Sequence, residues 1–112
     1  MKLKYLVAFV ALLHINSSYA ANDQIPSDRT IISIHAYDTF VFIKYSPSFT
    51  STQGCIHTDS NQRVAIDTSD ELGKNIYSAA LAAASAQKKV GFGVSGCINE
   101  RPKLYRIDVK FQ

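Results

Sequence analysis

The sequence has no tryptophan, only two cysteines, and no apolar run long enough to cross a membrane as a helix. Its apolar stretch Tyr5–Leu13 is about half of the roughly 20 residues that a bilayer requires. This stretch follows Lys2 and Lys4 and precedes small residues that end at Ala20. A charged start, a short apolar run and a small-residue cleavage site are typical of a secretory signal peptide. Residues 1–20 are therefore predicted to be removed, and an uncleaved anchor is the alternative.

No second long apolar segment follows, so we expect the rest of the chain to have no membrane span and to be exported, either to the periplasm or out of the cell. Polar residues and Pro26 make 21–28 a predicted flexible N-terminal arm. The remaining residues, 29–112, have the length of one small domain with one modest core.

The exported part also lacks a large excess of charge of either sign. The chain has 12 Lys and Arg against 9 Asp and Glu, and Lys2 and Lys4 leave with the signal peptide. A near-neutral domain without a basic stripe has little electrostatic attraction for nucleic acid or for anionic membranes. We therefore predict no nucleic-acid partner.

The two cysteines, Cys55 and Cys97, both lie in the exported part. An isolated pair in an oxidising compartment is predicted to form a disulfide. Closing the loop between them stabilises a fold by roughly 4 kcal/mol in the chain-entropy model. Free thiols or a metal site are the alternatives, but no histidine lies at zinc-ligand spacing. We therefore predict a disulfide and no metal.

Strand-forming residues dominate the first half of the exported chain. β-Branched residues predict a strand over 29–37, and aromatic and β-branched residues predict another over 40–45. Both faces of the second strand are apolar, so it is either covered on both sides or presents an apolar face to a partner. A Ser/Thr-rich loop, 46–54, leads to a third strand or hairpin formed by 55–57 and 63–67.

A helix and two strands complete the chain. Thr68 and Glu71 fit a capping box, and small apolar residues recur at helical spacing after them: Leu72, Ile76, Ala79, Ala80 and Ala83. Lys88 and Lys89 would suit the C-terminus of this helix. In 90–94 apolar residues alternate with glycines that allow a backbone or a ring to approach closely.

A loop over 95–102 and an alternating strand over 105–111 end the sequence. A helix between strands 3 and 4 of five antiparallel strands is the element order of an OB-type barrel. The predicted fold class is therefore mainly β with one helix (α+β), a five-stranded OB-type antiparallel barrel. An open α+β sheet is the alternative.

The helix-then-strand stretch from Asn75 to Val94, followed by Cys97, resembles the receptor-binding B subunits of AB5 toxins of the subtilase-cytotoxin and typhoid-toxin type. The resemblance covers about a third of the chain and depends mainly on element order. It implies a ring-shaped pentamer that binds cell-surface glycans. Those subunits contain more cysteines and more aromatic loop residues, so no sugar-binding residue is transferred to this chain.

Little in the sequence indicates catalysis. His35 and His57, with Asp38 and Asp59 nearby, are the candidates for an acid–base pair or a metal site. No nucleophile elbow and no phosphate-binding loop accompanies them, and both histidines are otherwise surface strand residues. We therefore predict a protein that is not an enzyme and needs no cofactor.

Five aromatic residues lie close together in the predicted first hairpin and the loop after it: Tyr37, Phe40, Phe42, Tyr45 and Phe49. Rings with polar groups favour interfaces and sugar stacking, and core packing is the alternative. We predict these residues as the binding site of a non-catalytic module for a cell-surface glycan or protein partner, with a toxin-like homo-oligomer as one form. The alternatives are a periplasmic inhibitor or stress protein that binds through 46–54 or 99–103, and a small exported hydrolase using His35 or His57.

Overall fold

The computed structural model describes residues 21–111, so the predicted signal peptide lies outside the described part of the chain. The described residues form a mainly β domain with one helix, as the sequence predicts. The elements in chain order are β1 (Asp23–Ala36), β2 (Phe40–Ser46), β3 (Arg63–Asp67), α1 (Glu71–Ser85), β4 (Lys89–Ile98) and β5 (Arg101–Lys110). No helix between residues 21 and 111 is long and apolar enough to span a membrane.

The five strands pair in the order β1-β2-β3-β5-β4, and β4 also pairs with β1, so the pairings form a closed ring. β1 makes this possible because its first half pairs with β4 and its second half with β2. The prediction of an entirely antiparallel sheet is wrong at one place, since β3 and β5 run parallel at Ala65 and Lys103. An odd number of strands in a ring cannot alternate in direction throughout, so at least one pair must be parallel.

The core lies inside this ring and under α1. Val41, Ile43 and Tyr45 on β2 contribute to it, each at most 2% exposed. From α1, the buried apolar side chains are those of Ile76, Ala80 and Ala83, which confirms most of the predicted stripe. Leu72 is an error of that prediction, because its side chain is 54% exposed in the first turn of the helix.

The N-terminal segment differs most clearly from its prediction. Residues 23–28, predicted as a flexible arm, belong to β1, and Ile25 is buried opposite Phe92 of β4. Pro26 fits because the β1–β4 register shifts between Ile25 and Arg29, and a proline that cannot donate to the ladder is tolerated at such an irregularity.

The helix starts with a different cap from the predicted one. Asp70, not Thr68, is the N-cap: its backbone is extended and its side chain accepts a hydrogen bond from the Gly73 amide at 2.7 Å. The Thr68 amide instead donates to the carbonyl of Thr39, which ties this turn to the β1–β2 connection. Lys88 and Lys89 lie beyond the last helical turn, which has no basic residue.

The glycine pattern of β4 behaves as predicted. A Cβ on Gly91 would lie 2.7 Å from the carbonyl oxygen of Ile25, and one on Gly93 would lie 2.8 Å from the ring of Tyr105. A backbone and an aromatic ring therefore occupy the space above these two residues. The predicted loop over 95–102 is shorter in the structure, where only Asn99 and Glu100, both with positive φ, separate β4 from β5.

The long connection from β2 to β3 contains no strand, although 55–57 was predicted as one arm of a hairpin. The predicted disulfide is confirmed: Cys55 in this connection is bonded to Cys97 of β4. The Asp23 carboxylate accepts hydrogen bonds from the side chain of Ser51 and from the amide and hydroxyl of Thr52. The disulfide and these hydrogen bonds hold the connection in place. Within the described part of the chain, residues 55–57 have no neighbouring strand to pair with, so they do not form a strand despite their propensity.

Candidate functional site

The side of the sheet that faces away from the core carries most of the chemically distinctive residues. Phe40, Phe42 and Lys44 alternate with the core residues of β2 and therefore point to this side. Their direct partners on β3 are Asp67, Ala65 and Arg63, and their partners on β1 are His35 beside Phe42 and Ser33 beside Lys44. We call this side the outer face, defined by these eight residues.

Three of the five predicted binding aromatics meet at one end of the outer face. The rings of Tyr37 and Phe40 stack with centroids 4.8 Å apart, and Phe42 lies 5.6 Å from Tyr37 and 5.0 Å from Phe40. Tyr37 is 54% exposed whereas Phe42 is 5% exposed, so the group grades from an open ring to a buried one. We call Tyr37, Phe40 and Phe42 the aromatic cluster.

The other two predicted binding residues lie elsewhere. Tyr45 belongs to the core and contacts Phe92, with its ring centroid 5.4 Å away. Burial raises the pKa of Tyr45 to about 12. Phe49 is half-buried against the core, and the guanidinium of Arg29 lies 5.8 Å from its ring centroid. Neither side chain contributes to the outer face, because strand alternation turns Tyr45 inward and the loop folds Phe49 back.

Arg101 covers the buried end of the aromatic cluster. Its guanidinium carbon lies 4.2 Å from the centroid of the Phe42 ring, a distance at which a cation and an aromatic face attract each other. The Asp59 carboxylate fixes this position by accepting two hydrogen bonds from Arg101, at 2.9 and 3.1 Å. Phe42 is thus sandwiched between the sheet and a guanidinium held from the long β2–β3 connection.

Asp59 is the centre of a charged network beside the cluster. Besides Arg101 it contacts Nε of Arg63 at 3.2 Å and Nδ1 of His57 at 2.8 Å. Partial burial alone would raise the pKa of Asp59, but the hydrogen bonds and charge of Arg101, with the charges of His57 and Arg63, hold it below its ordinary value. The carboxylate is therefore ionised at neutral pH and acts as an acceptor for its basic neighbours.

A cleft of about 490 Å³ opens beside Phe40 at the same end of the outer face. Its lining combines the ring of Phe40 with hydroxyl, carboxylate, amide and aliphatic groups from Thr39, Ser69, Asp67, Asn99 and Ile98. The side chain and amide of Ser69 donate to the Asp67 carboxylate, and these hydrogen bonds lower the pKa of Asp67. The cleft thus offers an ionised acceptor next to an aromatic ring.

The two candidate histidines have separate partners. His35 Nε2 lies 3.1 Å from Oγ of Ser33 on the same face of β1. His57 Nε2 lies 3.1 Å from Arg101 Nη2, while its other ring nitrogen faces Asp59. His57 therefore belongs to the network that holds Arg101. Among the described residues, Asp38 forms no hydrogen bond or ion pair with His35 or His57.

The two loops proposed for an inhibitor differ in how they are held. The segment 46–54 is fastened at its far end by the carboxylate of Asp23. Within 99–103 only Asn99 and Glu100 form a turn, because β5 begins at Arg101.

The sequence did not predict Arg101, Arg63 and Asp67 as parts of the candidate site. Arg101 and Asp59 are 42 positions apart, and no local pattern reports such a pairing.

Comparison with known proteins identifies no relative of this chain: no family model, no curated protein and no solved structure matches it.

Proposed function

We propose that this protein is an exported, non-catalytic binding module that recognises a cell-surface glycan through the aromatic cluster and the adjoining cleft. The observation that carries the proposal is the stack of Tyr37 on Phe40, open to solvent on the Tyr37 side and supported from below by Phe42. Exposed aromatic rings on a rigid sheet present an apolar surface with polar edges, which suits sugar rings.

The groups beside the stack support a sugar more than an apolar ligand. The cleft next to Phe40 supplies hydroxyl, carboxylate and amide groups within one concave surface, and binding sites of this kind orient ligands through a few polar groups around an apolar patch. A sugar has an apolar ring face surrounded by hydroxyl groups. The ring face complements the aromatic cluster, and the hydroxyl groups complement the polar groups of the cleft.

The architecture supports the same proposal. The strand order, the closing pair of β1 with β4 and the position of α1 between β3 and β4 are those expected of an OB-type barrel. OB-type domains bind oligosaccharides and oligonucleotides on the face of strands 2 and 3, with the loops between strands 1 and 2 and between strands 4 and 5. In such a barrel, Phe40 and Phe42 on β2, Tyr37 before β2 and Asn99 before β5 would belong to that binding face and those loops, which supports the proposal.

Export and self-association form the second part of the proposal. The Cys55–Cys97 disulfide suits an oxidising compartment outside the cytosol. Large apolar side chains that are 42% to 79% exposed lie outside the aromatic cluster: Ile32, Ile56, Leu72, Leu81 and Phe111. A ring-shaped homo-oligomer of the toxin B-subunit type would cover some of them. Light scattering of the oxidised residues 21–112 tests this part, and a mass equal to one subunit contradicts it.

The binding proposal is tested by screening the oxidised protein on a glycan array and measuring the best ligand by calorimetry. Tyr37→Ala is expected to weaken binding about tenfold or more, which corresponds to about 1.4 kcal/mol, because the open face of the stack is lost. Phe111→Ala is the matched control, since Phe111 is a 72% exposed aromatic residue outside the cluster, and light scattering checks that both variants keep the wild-type mass. Equal effects of both variants, or no glycan ligand at all, would reject the proposal.

A further inference from the structure

The end of the outer face opposite the aromatic cluster has an unusual charge arrangement. Lys44 of β2 and Arg63 of β3 are direct cross-strand partners, and like charges in this position repel each other and destabilise a sheet. Ser33 of β1 completes the same row across the sheet. The row itself contains two neighbouring cations and no acidic residue, so any anion that offsets their repulsion must come from outside it.

The protein itself supplies that anion only in part. Asp59 contacts Arg63 but spends two of its hydrogen bonds on Arg101. Within residues 21–111 no carboxylate forms an ion pair with Lys44. Lys44 is therefore a half-buried residue whose ammonium has no ion-pair partner among residues 21–111.

A cleft of about 380 Å³ adjoins Lys44 at this end. Lys44, Ser46, Ser48 and Gln62 line it together with the buried residue Tyr45, so its residues carry one ammonium, several hydroxyls and an amide. Ile32, turned outward where the β1–β2 register shifts between Ile31 and Ser33, forms an apolar wall. No acidic residue lines the cleft, so its hydrogen-bond donors and its charge favour an anion with several oxygens.

We propose that the Lys44 cleft binds a tetrahedral oxyanion ester, a sulfate or phosphate group carried by the glycan that occupies the aromatic cluster. This inference rests on the proposed function and names the class of glycan. Two residues of a strand advance about 7 Å, so Lys44 is about 7 Å from Phe42 and about 14 Å from Phe40 along β2. A ligand that reaches both ends is an oligosaccharide with a charged ester at one end, not a single sugar.

The test compares one oligosaccharide in two forms, a heparin-type hexasaccharide and the same hexasaccharide after desulfation. A mannose oligosaccharide with and without a phosphate ester provides the phosphate arm, and calorimetry measures all four. Wild-type protein is expected to bind at least one esterified form about tenfold or more tightly than its ester-free counterpart. The arm that shows this preference identifies sulfate or phosphate as the source.

Lys44→Gln is expected to reduce that preference to about threefold or less while leaving affinity for the ester-free form unchanged. Lys74→Gln is the matched control, since Lys74 is an exposed lysine on α1 whose nearest acidic partner is Glu71. Thermal unfolding gives an independent readout: Lys44→Gln should be at least as stable as wild type, because the repulsion from Arg63 is relieved.

Each outcome decides between the two proposals. Equal binding of the esterified and ester-free forms would overturn the oxyanion site and leave the glycan proposal standing. Binding of none of the four, with no ligand on the array, would reject the glycan proposal itself. Tighter binding of a single-stranded thymidine oligonucleotide, lost in both Tyr37→Ala and Lys44→Gln, would overturn the inference in favour of a nucleic acid. A large loss of stability in Lys44→Gln would show that Lys44 is structural.

Discussion

The two sides of β2 are both rich in apolar and aromatic residues, but they are buried in different ways. On the inner side, Val41, Ile43 and Tyr45 belong to one buried cluster that also contains side chains from all the other strands and from α1. On the outer side, Phe42 is covered by one guanidinium and two neighbouring rings, and Phe40 is only half-buried. The inner side is covered by the other strands and the helix, whereas Phe42 on the outer side is covered by one charged side chain and two aromatic rings.

This difference separates residues that maintain the fold from residues that are available to a partner. A fully buried side chain has no surface left to contact a partner, and replacing it with a smaller one leaves a cavity. A ring at the solvent boundary, such as Tyr37, contributes little to folding and leaves its free face for a ligand. The four predictions below test that separation, and they run from the largest expected change in stability to the smallest.

Ile43→Ala should lower the free energy of unfolding by about 3.5 kcal/mol, because the side chain is fully buried and its loss leaves a cavity. Urea denaturation followed by circular dichroism measures this change. The matched variant on the outer side, Phe40→Ala, should cost less than half as much despite removing a larger side chain. If the two costs are equal, the outer side is as much a part of the core as the inner side.

Alkaline pH should weaken the inner side. Burial raises the pKa of Tyr45 to about 12, so its contribution is complete below the ordinary value of about 10 and is lost as pH rises through about 12. The expected loss of stability is up to about 2.7 kcal/mol. Urea denaturation from pH 9 to 12 should show a shallower decline for Tyr45→Phe than for wild type; parallel curves would exclude this residue as the cause.

Acid should weaken the outer side through Asp59: burial acts to raise its pKa, but Arg101, His57 and Arg63 together hold that pKa below its ordinary value. Stability from this group is present above the ordinary value of about 4 and is lost as pH falls through the lowered one. Asp59→Asn should cost about 2 kcal/mol at pH 7 and flatten the decline below pH 4. Unchanged acid sensitivity in the variant would show that other carboxylates, such as Asp23, dominate it.

Tyr37→Ala should change the free energy of unfolding by no more than about 0.5 kcal/mol, the range of surface substitutions. The same variant is expected to lose most of the binding, so it separates the two roles most sharply. Calorimetric unfolding of Tyr37→Ala beside wild type measures the first quantity. A stability loss as large as that of Ile43→Ala would place Tyr37 with the core and remove it as a ligand-binding residue.

The sequence predicted the individual strands and the helix better than it predicted which residues contact one another. The residues 40–45 correctly predicted a strand, and their apolar character on both sides agrees with the burial of Val41 and Ile43 on one side and of Phe42 on the other. The glycine alternation in 90–94 correctly predicted the close approach of a backbone and a ring. Of the five predicted binding aromatics, only Tyr37, Phe40 and Phe42 come together. Tyr45 could have been separated from them by strict alternation along β2, which puts it on the side of Val41 and Ile43.

The remaining errors have a common physical origin. Residues 23–28 are polar and contain a proline, so local propensity favours an arm, but pairing with β4 supplies hydrogen bonds that propensity does not count. Thr68 and Asp70 are both good caps, and the choice of Asp70 follows from the bond between the Thr68 amide and Thr39 on another connection. Long-range contacts override local preference in each case.

Sequence alone determined the helix, its buried stripe of Ile76, Ala80 and Ala83 and most of the strands, because periodicity acts over a few neighbouring positions. It also determined the disulfide, because the chain has only two cysteines. The tertiary structure alone decided which aromatics meet, that Arg101 covers Phe42, and that Lys44 faces Arg63. Those contacts depend on strand register and on the closing of the ring, in which a shift of one residue would turn every side chain to the opposite face.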